Sequence, residues 1–305
     1  DEKIENLLSS DTKGSIAKST GLATILLSDA FSRLDPDVVL VLGDRFETHA
    51  AATTAMLMNI PIAHIHGGEV TEGAVDEKIR HSITKMGESP HTVFSVGAPG
   101  IDNIVNMSLL SKSELEDELE WKINRNTALF TFHSETLSES SSKEEIKEIL
   151  KIIDRSSLNI LFTYANSDDG GRAINNEIEK FVLKDKDRYR VVKSLGQLKY
   201  LSAMKQLDIV IGNTSSGIIE SASFQKPVIN IGYRQSGRLQ SGNVIDSTVK
   251  ELTKSIDQAL SEDFLESLKK KKNIYGDGKT ASKIIDLLKS QKISVIKKFN
   301  NLVEG

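Results

Sequence analysis

Short, unbroken apolar runs, spaced by amphipathic stretches of helical length, constrain this chain more than any other feature. Val38-Val39-Leu40-Val41-Leu42 and Pro61-Ile62-Ala63-His64-Ile65 read as strands, with a helix of Ala, Met and Leu over 46–58 between them. Further runs of the same kind fall at Val93–Val96, Ala128–Phe132, Leu158–Phe162, Tyr189–Val192, Asp208–Ile211 and Val228–Ile231. Helices are expected at 15–33, 75–86, 143–154, 172–184, 197–205, 215–223, 248–260 and 279–298. Continuously apolar strands that alternate with helices imply parallel sheets covered on both faces.

The 305 residues suit about two domains. The first is expected over 1–107 and the second over 125–282, with five strands. Residues 108–124 are polar and helix-prone, as a connection would be, and Lys269–Lys272 reads as a solvated helix end. Two places look interrupted. The first strand follows a helix, and the helix ending at Met86 runs directly into Gly87-Glu88-Ser89-Pro90. Further residues are therefore expected before Asp1 and between Met86 and Gly87. With Lys+Arg 39 against Asp+Glu 43, net charge −4, no protein-wide nucleic-acid surface is expected. Without cysteine there is no disulfide, no thiolate metal site and no thiol nucleophile. No apolar run approaches membrane-spanning length, so a cytoplasmic protein without membrane contact is the expectation.

In parallel α/β sheets, ligands sit beyond the carboxyl ends of the strands, so the residues after each strand are the candidates. Gly43-Asp44-Arg45 follows the first strand; Asp44 is either an acid/base group or the cap of the next helix. After the second come His66-Gly67-Gly68-Glu69, then Asp76, Glu77, Arg80 and His81 on the first turns of a helix. They form either a reactive cluster or surface ion pairs. His64, His66 and Glu69 could supply three ligands to zinc, but no fourth is evident and no metal is expected. His133 stands at the tip of strand 128–132, suited to a phosphate or a leaving group. Gly212-Asn213-Thr214-Ser215-Ser216-Gly217 opens a helix with free N–H groups and hydroxyls, a cradle for a diphosphate. It is neither a Walker loop nor a GxGxxG fingerprint. Glu220, one turn on, is placed to accept both hydroxyls of a ribose, and Arg234 and Arg238 add cations.

VLGDRFETHAAATTAMLMNIPIAHIHGGEVTEGAVDEKIRHSITK, IGNTSSGIIESASFQKPVINIGYRQSGR and IYGDGKTASKII together resemble the UDP-N-acetylglucosamine 2-epimerases, in particular the hydrolysing branch of sialic-acid pathways, over nearly the whole chain. The resemblance implies an α/β protein of two Rossmann-like domains, glycosyltransferase-B type, with the ligand in the interdomain cleft. Residues 283–305 would form a helix crossing back to the first domain. The implied reaction converts UDP-N-acetylglucosamine and water to N-acetylmannosamine and UDP, by elimination of UDP and rehydration with inversion at C2. Asp44, Asp76 and Glu77 fall at the family's catalytic carboxylates, and His133 at a histidine near the diphosphate. Thr214, Ser215, Ser216 and Gly217 match the phosphate cradle and Glu220 the ribose ligand. Arg45 and Arg80 are further candidates for sugar or phosphate. His66 stands where many relatives have Glu, which leaves the group at C2 open. No cofactor is implied, and a homodimer or homotetramer is expected. The alternatives are a hydrolysing 2-epimerase of a UDP-diacetamido-trideoxy sugar (legionaminic-acid pathway), the non-hydrolysing epimerase, a retaining glycosyltransferase of the same fold, and a UDP-sugar sensor without turnover.

Overall fold

The computed structural model describes residues 3–5, 13–43, 45–65, 89–134, 142–166 and 170–291. Of these, 3–5, 13–43, 45–65, 89–95 and 284–291 group into one unit, and 96–134, 142–166 and 170–283 into a second.

In the first unit, helices α1 (Lys13–Leu34) and α2 (Phe46–Leu57) accompany strands β1 (Val39–Leu42) and β2 (Ile62–Ile65). The strands pair in parallel, Val39 opposite Ile62 and Leu42 opposite Ile65. Val39 and Val41 are buried with Ala55, against Phe31, Ala51 and Ile60. Leu40 and Leu42, by contrast, are 49% and 58% exposed. Among the described residues this sheet is therefore covered on one face, because α1 and α2 both deliver apolar residues to the same side. The strand expected at Val93–Val96 is absent: after a 3₁₀ turn at Pro90–Thr92, Val93 is extended but belongs to no described ladder.

The second unit is built on six parallel strands: β3 (Thr127–Thr131), β4 (Asn159–Thr163), β5 (Tyr189–Val192), β6 (Ile209–Gly212), β7 (Val228–Ile231) and β8 (Val244–Ser247). Their order is β5-β4-β3-β6-β7-β8, the 3-2-1-4-5-6 arrangement of doubly wound folds. Two-residue periodicity divides the strands between two cores. Phe130, Ile160, Phe162, Ile209, Ile211, Ile229 and Ile231 face one side. Leu129, Leu161, Val210 and Val228 face the other. Helices α5 (Ser142–Arg155), α6 (Gly171–Val182) and α9 (Leu252–Ala259) supply Ile146, Ile149, Ile174, Ile178, Leu252 and Ile256 to the first face. Helices α4 (Lys112–Leu119) and α7 (Gly196–Gln206) supply Leu115, Leu119, Ala203 and Met204 to the second. Phe130 meets Phe162 edge-on at 5.1 Å, and Phe181 lies 4.6 Å from Tyr189. The stretch 108–124 contributes to this core through Leu115, Leu119, Trp121 and Ile123, and the Trp121 Nε1–H donates to the Asp187 carbonyl at 2.9 Å.

Helix α8 is short (Ser215–Ile219) and passes through Glu220 into a 3₁₀ turn at Ser221–Phe224, where one helix over 215–223 was expected. Helix α10 (Glu262–Leu268) ends at Lys269, and Lys269–Lys272 are exposed.

Helix α3 (Pro99–Asn106) also groups with this unit, although 96–107 was expected in the first domain. Its ties explain why. Ala98 N–H donates to the Tyr275 carbonyl at 2.7 Å. The Asp102 carboxylate accepts from the N–H groups of Thr280 (2.9 Å) and Ala281 (2.6 Å), the open end of helix α11 (Thr280–Ser290). Burial raises the Asp102 pKa, but these donors outweigh it and hold the carboxyl below its ordinary value, so it stays charged at neutral pH. Gly278, at φ 81°, completes the brace: a Cβ there would sit 2.9 Å from Val105 Cβ. Among the described residues no helix is long and apolar enough to cross a membrane.

Candidate functional site

Strand order reverses between β3 and β6, whose neighbours β4 and β7 lie on opposite sides. The crevice at their carboxyl ends is where such sheets bind ligands. His133 follows β3 by two residues, and the Gly212–Gly217 loop follows β6. Asn213, fully buried, fastens the two together. Its Oδ1 accepts from His133 N–H (2.8 Å) and its Nδ2 donates to the His133 carbonyl (2.9 Å). Its own carbonyl accepts from Arg234 (3.1 Å) and from the buried amide of Gln235 (2.9 Å). The close approach needs Gly212, at φ 141°, because a Cβ there would overlap the Thr131 carbonyl oxygen of β3.

The His133 ring is oriented from the next strand tip. Asn166 N–H donates to its Nδ1 at 3.1 Å, so the neutral ring carries its proton on Nε2. The loop after β6 is a chain of hydroxyls. Thr214 caps α8 by accepting from Gly217 N–H at 3.1 Å, and its Oγ1 lies 2.9 Å from Ser216 Oγ. Ser216 Oγ in turn lies 2.6 Å from the Tyr200 hydroxyl, whose pKa burial pushes up, so that it remains a donor at neutral pH. Ser215 opens the helix, half-buried. Asn230 and Asp246, at 2.7 Å, tie the adjacent tips of β7 and β8.

Glu220 ends α8. Its carboxylate has no hydrogen bond or ion pair with any described residue, and burial pushes its pKa up to about 7. It lies instead against Gly100 on the first turn of α3. A titratable group whose pKa burial displaces this strongly, beside a strand-tip loop, is a candidate functional position. Arg234 is exposed and Arg238 half-buried in the loop after β7.

In the first unit, Gly43 leaves β1 at φ 72°, with its N–H on the Ile65 carbonyl (3.0 Å) and its own carbonyl 2.7 Å from His64 Nε2. The cap position of α2 falls on Arg45, which makes no side-chain cap and pairs with Glu47 at 3.3 Å. Asp44, His66, Glu69, Asp76, Glu77, Arg80 and His81, together with the helix expected at 75–86, lie outside the described residues. Among the described residues no three His, Asp or Glu side chains are arranged to hold a metal ion. Sequence reasoning missed Asn213, Gln235 and Asn166. Asn213 lay within a motif already singled out, but its partner stands 80 positions away and leaves no local signal.

A family model described as UDP-N-acetylglucosamine 2-epimerase matches residues 2–88 and 82–289. The chain is 41% identical over 282 residues to a Campylobacter jejuni protein named GDP/UDP-N,N'-diacetylbacillosamine 2-epimerase (hydrolyzing), covering 86% of this chain and 73% of that one. It is 35% identical over 298 residues to a Legionella pneumophila protein named UDP-N,N'-diacetylbacillosamine 2-epimerase (hydrolyzing), covering 90% and 77%. Among solved structures, that of Neisseria meningitidis UDP-GlcNAc 2-epimerase bound to UDP-GlcNAc matches with a TM-score of 0.73 at 16% identity, over 94% of this chain and 84% of that one. That likeness is one of fold: α/β, two Rossmann-like domains, glycosyltransferase-B type.

Proposed function

The chain belongs to the UDP-N-acetylglucosamine 2-epimerase family, and from that premise we propose that it is a hydrolysing 2-epimerase acting on a UDP-linked 2,4-diacetamido-2,4,6-trideoxyhexose. The observation that carries the reading is the 41% identity to a relative whose name states both hydrolysis and a diacetamido sugar. It favours the second substrate weighed from the sequence over UDP-N-acetylglucosamine.

In this reading the substrate loses its C2 proton and the C1–O bond to UDP, leaving a glycal-like intermediate. Water adds at C1 while C2 takes a proton on the opposite face, so the products are UDP and the free 2-epimer. The second unit holds the nucleotide. His133 Nε2–H and the Thr214, Ser215 and Ser216 hydroxyls stabilise the departing diphosphate, with Arg234 and Arg238 as cations. Glu220 accepts the ribose diol. Asp44, Asp76, Glu77 and His66 are the acid/base candidates, and Arg45 and Arg80 contact sugar or phosphate.

The deciding experiment offers UDP-N,N'-diacetylbacillosamine and UDP-N-acetylglucosamine in parallel in deuterated water and follows the sugars by NMR. The expected product is free 2,4-diacetamido-2,4,6-trideoxymannose with deuterium at C2. A higher kcat/KM for UDP-N-acetylglucosamine overturns the substrate assignment, and a UDP-linked product overturns hydrolysis.

Glu220 also makes nucleotide binding proton-linked. Free, its carboxyl titrates at about 7; holding a diol favours the ionised form. UDP affinity is therefore expected to be weaker at low pH and to rise towards pH 8, falling by at most about tenfold per unit below 7 until the Glu220 contribution is lost. The terminal phosphate of UDP titrates near 6 as well, so the measurement is the difference between parent and Glu220→Gln. Calorimetric titrations at several pH values should give a steeper profile for the parent; parallel profiles would remove Glu220 from the ribose.

A further inference from the structure

We infer that Gly100 is a positioning residue of the nucleoside site: by lacking a side chain it leaves the space in which the Glu220 carboxylate lies. The inference rests on the reading of the second unit as the UDP-binding one.

A Cβ at position 100 would overlap Glu220 Oε1 and sit 3.4 Å from its Cδ and 3.6 Å from its Cγ. Helix α3 cannot retreat from that contact, because its two ends are held. Ala98 is bonded to Tyr275, Asp102 to Thr280 and Ala281, and Val105 packs on Gly278. Gly100 is not forced by backbone conformation, since it is not among the positive-φ residues. Nor is glycine favoured there by propensity, as Ala is the better helix former. What the glycine provides is room. The atoms it makes room for belong to the far end of a flexible side chain, so any larger residue moves Glu220 rather than the fold. Among the described residues Glu220 has no hydrogen bond or ion pair to hold it in place, so the space left beside Gly100 bears directly on where its carboxylate lies.

The test is Gly100→Ala in the full chain, with Glu220→Ala and the double variant. UDP and 2′-deoxy-UDP binding are measured by calorimetry and thermal stability by scanning. The expected result is an unchanged or slightly raised thermal midpoint with a UDP dissociation constant raised about 10- to 100-fold, the loss that accompanies removal of a charge-assisted hydrogen-bonded pair. The preference for UDP over 2′-deoxy-UDP should shrink in Gly100→Ala, and the double variant should bind no worse than Glu220→Ala. A general disturbance of the fold would lower the midpoint and weaken both nucleotides equally, which overturns the inference. So does Gly100→Ala binding UDP like the parent while Glu220→Ala binds it weakly. A parent chain that binds no UDP overturns the functional reading and this inference with it.

Discussion

Asp44→Asn is expected to abolish measurable turnover, lowering kcat by about 10²–10⁴-fold, while UDP binding and thermal stability stay near those of the parent. The amide is nearly isosteric with the carboxylate but cannot accept a proton, so the change removes acid/base capacity and little else. The structural alternative was a helix cap. The cap position of α2 falls on Arg45, and the strand exit is secured by the backbone of Gly43 through Ile65 and His64. Steady-state kinetics with a parallel UDP titration checks it. Activity within tenfold of the parent takes Asp44 out of the mechanism; a collapse of stability makes it a structural residue instead.

Gly212→Ala is expected to lower the stability of the second unit by at least about 3 kcal/mol, from backbone strain and forced overpacking together. At about 2–4 °C per kcal/mol for a unit of this size, the midpoint should fall by roughly 6–12 °C. Position 212 sits at φ 141°, and the added Cβ would overlap the Thr131 oxygen, with the Thr131 carbonyl carbon only 2.7 Å away. Those atoms belong to β3, paired in register with β6 and buried along its whole length, so neither strand can give way cheaply. Separation of the strand tips would also break the Asn213 clasp on His133, so UDP binding should fail with stability. Scanning calorimetry decides it, and a drop below about 2 °C would show that the strands can part.

The strongly apolar strands of the second unit were legible because burial on both faces leaves them few polar residues; β3, β4, β6 and β7 lie within a residue of expectation. Strand β8 was not, because Val244-Ile245-Asp246-Ser247 is a sheet edge with half its residues polar. Helix α3 was missed because Pro99-Gly100 reads as a breaker pair; proline at the first helical position lacks only an N–H that would be unpaired anyway. Val93–Val96 failed the other way, since an apolar run carries propensity for extension but no information about a neighbour to pair with. The hydroxyl loop and His133 were visible as strand-tip chemistry. The groups that aim them, Asn213 and Asn166, act through partners 80 and 33 positions distant, and Gly100 acts by what it lacks. Pairing at such distances is set by the fold.

The bond between Asp102 and Thr280 spans 178 positions, which places it in time as well as in space. At a synthesis rate of about 5–20 residues per second, the carboxylate waits roughly 9–36 s on the ribosome for its partners. Until then helix α3 has no anchor at Asp102, and the space it leaves beside Glu220 is not yet fixed. In the proposed reading, the nucleoside site is thus complete only once residues 280 and 281 have been made.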